Sequence, residues 1–379
     1  MNPPARLVSL DAFRGATIAG MLLVNNPGSW SDIYPPLEHA PWNGWTPTDM
    51  IFPFFLWIIG VAMTLSFARR VGQGADRSQL FRHVVIRAAI IFGVGIFLVM
   101  FPFGLLPEQH FSFAKMRIPG VLQRIGLCYL AAGAIFLRTG WRGQLAWAVG
   151  LLAGYWALLV CVPVPGYGAG VLEPTGNLCW WIDSHVLAGH TWSGAPVPGF
   201  DPEGILSTLP AIATTLLGVL AGQMMRRWSG GALTARLLGG GGALLTLGAL
   251  MSLVLPINKN LWTSSYAVFM AGWALVLLAV FHWLIDVRGW SRWAAPLVIY
   301  GTNALAMFVS AGVLGKLLYL IKWTGADGQG ITLKGCIYRN AFVPLASPVN
   351  ASLLFALAFV LLHFAFAWIL WRRKWFVKI

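Results

Sequence analysis
Long apolar runs alternate with short polar breaks from one end of the chain to the other. Each run holds about 20 residues, enough for a helix to cross the hydrocarbon core of a bilayer. Apolar residues are continuous within the runs rather than alternating, which favours helices over a β-barrel. The pattern predicts about ten spans, near residues 11–28, 48–68, 84–104, 118–137, 143–162, 204–225, 236–255, 262–285, 294–320 and 350–371. The expected fold is all-α, a polytopic membrane helical bundle forming one domain over residues 1–379, with no sequence repeat. Two longer segments, near 163–203 and 322–349, are rich in Gly, Pro and polar residues and read as ordered caps on one face.

Composition agrees with this pattern. The 379 residues are 58% hydrophobic and 10% charged, against about 25% charged in a soluble domain, so a water-soluble class is excluded. The net charge of +14 follows the loops and does not signal nucleic-acid binding. One set of loops holds Arg6, Arg69, Arg70, Arg77, Arg82, Arg138, Arg142, Arg226, Arg227, Arg236, Arg288, Arg292, Arg372, Arg373, Lys374 and Lys378. The other set holds Lys115, Arg117, Lys259, Lys322, Lys334 and Arg339, together with Asp32, Glu38, Glu108, Glu173, Asp183, Asp201, Glu203 and Asp327. By the positive-inside rule both termini and the first set are expected in the cytoplasm, and the two caps outside. The first apolar run contains Asp11 and Arg14 and no cleavage pattern, so it is expected to stay in the protein.

Ionisable and amide groups inside spans need a structural or functional reason. Here they are Asp11, Arg14, Asn25, Asn26, Asp49, Arg87, Gln123, Arg124, Asn303 and Lys316. Asp11 and Arg14 share a helix face and read first as an ion pair, with phosphate binding by Arg14 the alternative. Lys316 and Arg87 lie near enough to span ends to snorkel. Arg117 and Arg124 are seven apart, two turns along one face; Arg124 requires either a carboxylate in the bundle or an entering phosphate. The turn Pro256 to Trp262 carries Asn258, Lys259 and Asn260, which is ordinary turn chemistry or a polar ligand site. Asp201 and Glu203 are placed to cap a helix or to read a cationic or hydroxylated substrate.

His39 stands in a turn between two apolar runs, where a proton-transferring side chain is accessible from one membrane face. His110, His185 and His190 also lie in outer loops. The chain lacks metal-ligand spacing, so no metal site is expected, and it lacks a P-loop, a dinucleotide fingerprint and a GxSxG element. Cys179 and Cys336, one in each cap, are either a disulfide pair or two free thiols. The run Gly239 to Gly242 is expected to open a span and allow close helix packing.

Several segments together resemble the heparan-alpha-glucosaminide N-acetyltransferase family. They are Arg6 to Gly15, Val24-Asn25, His39-Ala40-Pro41-Trp42-Asn43-Gly44 through Asp49, Phe52-Pro53, Arg117 to Arg124, Asp201 to Leu206, Pro256 to Trp262, Gly301-Thr302-Asn303 and Trp371 to Phe376. The chain looks like a bacterial relative, and the resemblance covers nearly its whole length.

The resemblance implies transfer of acetyl from cytoplasmic acetyl-CoA to the 2-amino group of a terminal glucosamine on the other side of a bacterial inner membrane. It implies His39 and Asn25 as catalytic residues, and it suggests a homodimer. A histidine base suits an amine that must be neutral to attack a thioester, and Asn25 suits the developing oxyanion. Asp49 is then expected to orient His39 or to cap the following helix. Arg14, Arg117, Arg124 and Lys259 are the expected contacts of CoA, and Asp201, Glu203, Asn258, Asn260 and Asn303 those of the sugar. Direct transfer in a ternary complex is the leading mechanism, with acetyl-His39 the other route.

Compared with the lysosomal family member, the chain reads as lacking a large N-terminal domain and one span. It also has a longer Asn25–His39 stretch and carries Glu38 at a basic position. A small periplasmic glucosamine or chitosan fragment is therefore the expected acceptor. An aminosugar transporter and a membrane O-acyltransferase acting on surface glycan are the competing classes.

Overall fold
The computed structural model describes residues 7–105, 112–324 and 330–377. Arg6, Glu108, His110, Asp327 and Lys378, used above in the charge and histidine readings, lie outside the described residues.

The long helices are α1 (Val8–Asn25), α2 (Ile51–Gly72), α3 (Arg77–Met100), α4 (Val121–Arg138) and α5 (Trp141–Cys161). After a short cap helix α6 (Leu178–Val186) come α7 (Thr208–Arg227), α8 (Gly230–Met251) and α9 (Ser264–His282). The pair α10 (Ala295–Thr302) and α11 (Ala304–Leu320) precedes α12 (Leu333–Ile337) and α13 (Pro348–Arg372). Among the described residues eight helices are long and apolar enough to cross a membrane, nine with the α10–α11 pair, which bends by 71°. The tenth expected span is α1. Its Asp11 and Arg14 reduce its apolar character, yet it runs the full distance: Ser9 N–H bonds Asp286 after α9 at one face, and Asn25 lines a cavity at the other.

Buried apolar stripes sort the helices into an inner and an outer set. In α2 and α7, 61% of the apolar window is buried inside the protein, against 22% in α3; α3 turns its remaining surface to lipid. Close backbone approach makes the inner contacts. A Cβ at Gly218 would collide with the Trp57 carbonyl and one at Gly60 with the Thr215 carbonyl, so α2 and α7 meet through glycine. Gly15 and Gly301 join α1 to α10 in the same way, and Gly241 and Gly272 join α8 to α9. Small residues supply this van der Waals packing where lipid offers no hydrophobic drive.

Boundaries differ from expectation in two places. The Gly239–Gly242 run packs closely against α9 as expected, but it lies in the middle of α8, which begins earlier, at Gly230. Helix α7 starts at Thr208, so Asp201 and Glu203 sit in the preceding turn and do not cap it. The two caps share the face opposite the basic loops. One carries α6, and the other carries α12 and an antiparallel hairpin of β1 (Lys322–Thr324) and β2 (Gly330–Thr332), with Trp323 opposite Ile331. Cys179 and Cys336 are free thiols: Cys179 is buried against the Tyr155 hydroxyl at 3.3 Å, and burial pushes its thiol up to about 12.

Candidate functional site
The turn before α2 is built by Thr46-Pro47-Thr48-Asp49. Pro47 starts a 3₁₀ turn, and Thr46 with Asp49 forms a reciprocal capping box. Asp49 is 1% exposed. One carboxylate oxygen, Oδ2, accepts the backbone N–H of Ala40 (3.1 Å) and of Thr46 (3.0 Å). The other, Oδ1, lies 2.7 Å from His39 Nδ1. An ionised carboxylate only accepts, so the ring proton belongs on Nδ1 and the Nε2 lone pair is free for chemistry. Asp49 therefore fills both roles that its position allows, cap and orienting group. Its own carbonyl accepts the Tyr266 hydroxyl at 2.6 Å, fixing the turn to α9.

The second wall is the turn 256–263. Asn258, fully buried, donates to Asn43 Oδ1 (3.1 Å) and accepts the Leu261 N–H (2.8 Å), while Gly44 N–H donates to the Ile257 carbonyl (2.8 Å). These bonds pin the His39 loop against the turn that presents Lys259. Lys259 Nζ lies 3.4 Å from Asp49 Oδ1, 2.9 Å from His39 Nδ1 and 3.2 Å from Nε2. Nζ thus sits against the imidazole, close to both ring nitrogens and off the line of the Nε2 lone pair. Burial holds the Lys259 ammonium below the usual lysine range, and Asp49 and Glu203 offset part of that fall. The His39 side chain is 49% exposed, so the trio opens to the surface.

Beside it, Arg117 donates to both Asp201 oxygens (2.9 and 2.7 Å) and to Glu203. Burial opposes the charge on Arg117, but Asp201 and Glu203 outweigh it and raise its pKa. Arg124, 1% exposed, donates to the Gly204 carbonyl and the Ser207 hydroxyl and lies over the Trp262 ring. Its partners are thus neutral groups of the turn before α7. Asn260, in the Lys259 turn, is half-buried.

Cavities run through the bundle. One, about 850 Å³, opens on the cap face and is lined by Asn25, Asn26, Lys115, Arg117, Lys316 and Phe308 among others. Asn25 and Arg117 share this cavity. His39, Asp49 and Lys259 are not among its lining residues. Lys316 does not snorkel: its ammonium donates to the carbonyls of Leu98, Val99 and Phe101 and caps the C-terminus of α3.

A second cavity, about 420 Å³, shares Phe308 with the first and contains Arg14, Ser66, Arg70 and Arg87. A third, about 410 Å³, shares Arg14, Ser66 and Arg70 with the second and opens at the basic face beside Arg69 and Gln73. Arg14 also lies 3.3 Å from Asp11 and donates to the Gly301 carbonyl. Arg70 and Arg87 are missing from the cofactor contacts expected above. A signal for Arg87 was present, since it shares a face with Val84 and Ile91 on the buried stripe of α3. Asn303 lies at the α10–α11 break toward the basic face, where it donates to the Trp375 carbonyl (3.1 Å) and accepts the Val377 N–H (2.9 Å). It holds the C-terminal segment at the second cavity and does not join the His39 cluster.

Fold and site together define a polytopic membrane helical bundle with a His–Asp–Lys cluster on one face and an arginine-lined interior reaching the other. Residues 6–240 match the family described as heparan-alpha-glucosaminide N-acetyltransferase, catalytic. The chain belongs to this family. It is 29% identical over 380 residues to the heparan-alpha-glucosaminide N-acetyltransferase of Homo sapiens, an alignment covering 86% of this chain and 55% of that protein. The Mus musculus protein of the same name is 29% identical over 376 residues, covering 86% and 56%. The chain spans about half the length of these curated relatives.

Proposed function
We propose that the chain is a single-domain transmembrane N-acetyltransferase. Acetyl-CoA enters from the basic face, which is cytoplasmic, and its acetyl group passes to the 2-amino group of a terminal glucosamine at the cap face of a bacterial inner membrane. The observation that carries this reading is the His39–Asp49 pair, 2.7 Å apart and half open to the surface. The arginine-lined cavities extending toward the other face support it.

In this mechanism His39 Nε2 takes a proton from the acceptor amine as the nitrogen attacks the thioester carbonyl. Asp49 holds Nδ1–H and stabilises the imidazolium that forms. The new N–C bond replaces the C–S bond, and the leaving thiolate takes the proton from His39. Asn25 and the Lys259 ammonium supply positive density to the oxyanion. Arg14, Arg70 and Arg87 hold the cofactor phosphates. Arg117 and Arg124 instead hold the Asp201–Ser207 turn, so Asp201, Glu203 and Asn258 shape the acceptor mouth.

The test is purified protein with labelled acetyl-CoA and glucosamine. N-acetylglucosamine is the expected product, and His39→Ala lowers its rate by about 10²-fold or more. Full turnover in the variant overturns the assignment of the base. Uptake of glucosamine into proteoliposomes without acetylation replaces the reading with a transporter.

A further inference from the structure
The His39 cluster already contains an amine. Lys259 Nζ lies against the His39 ring, 2.9 Å from Nδ1 and 3.2 Å from Nε2, the nitrogen that the proposed reaction uses, and 3.4 Å from Asp49 Oδ1. Its side chain is 20% exposed, so the nitrogen is held in the cluster and still reachable. The backbone around it is fixed: Asn258 is fully buried, and Trp262 N–H bonds the Lys259 carbonyl. The other described lysines stand differently. Lys316 donates to three carbonyls and Lys334 to the Tyr319 hydroxyl, while Lys115, Lys322 and Lys374 are exposed. Among the described lysines only Lys259 has its nitrogen within 3.2 Å of a histidine ring nitrogen.

We propose that Lys259 is a self-acetylation site, modified by acetyl-CoA through the His39 base when no amino sugar is present. The idea rests on the transferase reading above. The ammonium first loses one proton to water, and the free amine attacks the thioester carbonyl. An N–C bond forms and the C–S bond breaks while His39 takes the second proton of the attacking nitrogen. The thiolate leaves with that proton, and Lys259 becomes a neutral amide. Burial favours the step by weakening the hold on the ammonium proton. The amide no longer offers Asp49 a cation and adds bulk beside Nε2, so the modified enzyme loses activity. An acceptor sugar protects Lys259 by competing for the same base and the same acetyl group.

The experiment uses the full chain in detergent with isotope-labelled acetyl-CoA, with and without glucosamine, followed by peptide mass spectrometry. The expected result is a hydroxylamine-resistant acetyl group on Lys259, formed at least about tenfold faster than on Lys115 or Lys322. Glucosamine suppresses it, and His39→Ala slows it by about 10²-fold. His39→Gln serves as a second variant of this half-exposed ring. Acetylation of glucosamine with Lys259 unlabelled, or labelled independently of His39, overturns the proposal and leaves the transferase reading standing. If neither glucosamine nor Lys259 is acetylated, both fail. A hydroxylamine-labile acetyl found on His39 alone also overturns it.

Discussion
At the scale of single residues, the cap loops contain an acid whose environment sets a pH dependence. Asp183 on α6 is fully buried, accepts the Ile205 N–H at 3.0 Å, and has its other oxygen without a protein partner. Burial raises its pKa from 3.8 to about 7; Asp201 adds to the rise, while the Ile205 N–H and Arg124 oppose it. The unfolded chain releases this proton near the lower value and the native protein near the higher one. Native stability is therefore undiminished below the lower value, falls as pH rises through the window, and levels off above the higher. Asp183→Asn keeps the acceptor for Ile205 and removes the charge. Thermal melting between pH 4 and 8 should lose that slope, and the variant should gain on the order of a few kcal/mol relative to wild type at pH 8. An unchanged slope would show that the carboxyl ionises freely in the native protein.

The sequence made the residue types at the site legible, because His39, Asp49 and Lys259 are all unusual in such apolar surroundings. It offered Asp49 as a partner of His39 but did not reveal that Lys259 joins them. His39 and Lys259 are far apart along the chain and are joined by the Asn43–Asn258 and Gly44–Ile257 bonds. Arg117 and Arg124 were legible as ionisable groups needing partners. Which partner each found, two carboxylates or a carbonyl and a hydroxyl, depends on how the turn before α7 folds over α4.

At the scale of elements, glycine contacts decide which helices touch. Gly218→Ala places a methyl group against the Trp57 carbonyl of α2, and neither backbone can move without disturbing the core. Its expected cost is about 1–3 kcal/mol, read as a lower melting temperature of the solubilised protein. Gly150→Ala on α5, where a Cβ meets nothing within 4 Å, should show no such loss. Equal effects would remove close approach as the reason for glycine at 218. The apolar pattern foretold the helices themselves, but helix ends near glycine were misplaced. The glycine run of α8 is the packing surface that the sequence suggests, but the helix that carries it begins well before the run, at Gly230.

At the scale of the whole molecule, three cavities succeed one another through shared wall residues, from Arg69 and Gln73 at the basic face to Asn25 at the cap face. If the second cavity holds the cofactor phosphates, Arg70→Ala and Arg87→Ala should each raise KM for acetyl-CoA about tenfold or more, by loss of a charged hydrogen bond. Initial rates against acetyl-CoA concentration give this directly, and an unchanged KM in both variants would place the phosphates elsewhere.

The sequence by itself determined the all-α bundle and its multi-pass character, because both follow from the length of the apolar runs and the satisfaction of backbone groups in lipid. Its charge distribution among loops also predicted a basic face and a cap face. Only the tertiary structure decided that Lys259 lies on the His39 base, that Arg87 faces inward, and that Asn303 holds the C-terminal segment and stands apart from the cap-face site. These are contacts between segments far apart along the chain. Such pairing depends on how helices pack and on which turns their ends present, and neither is encoded in the local pattern of apolar and polar residues.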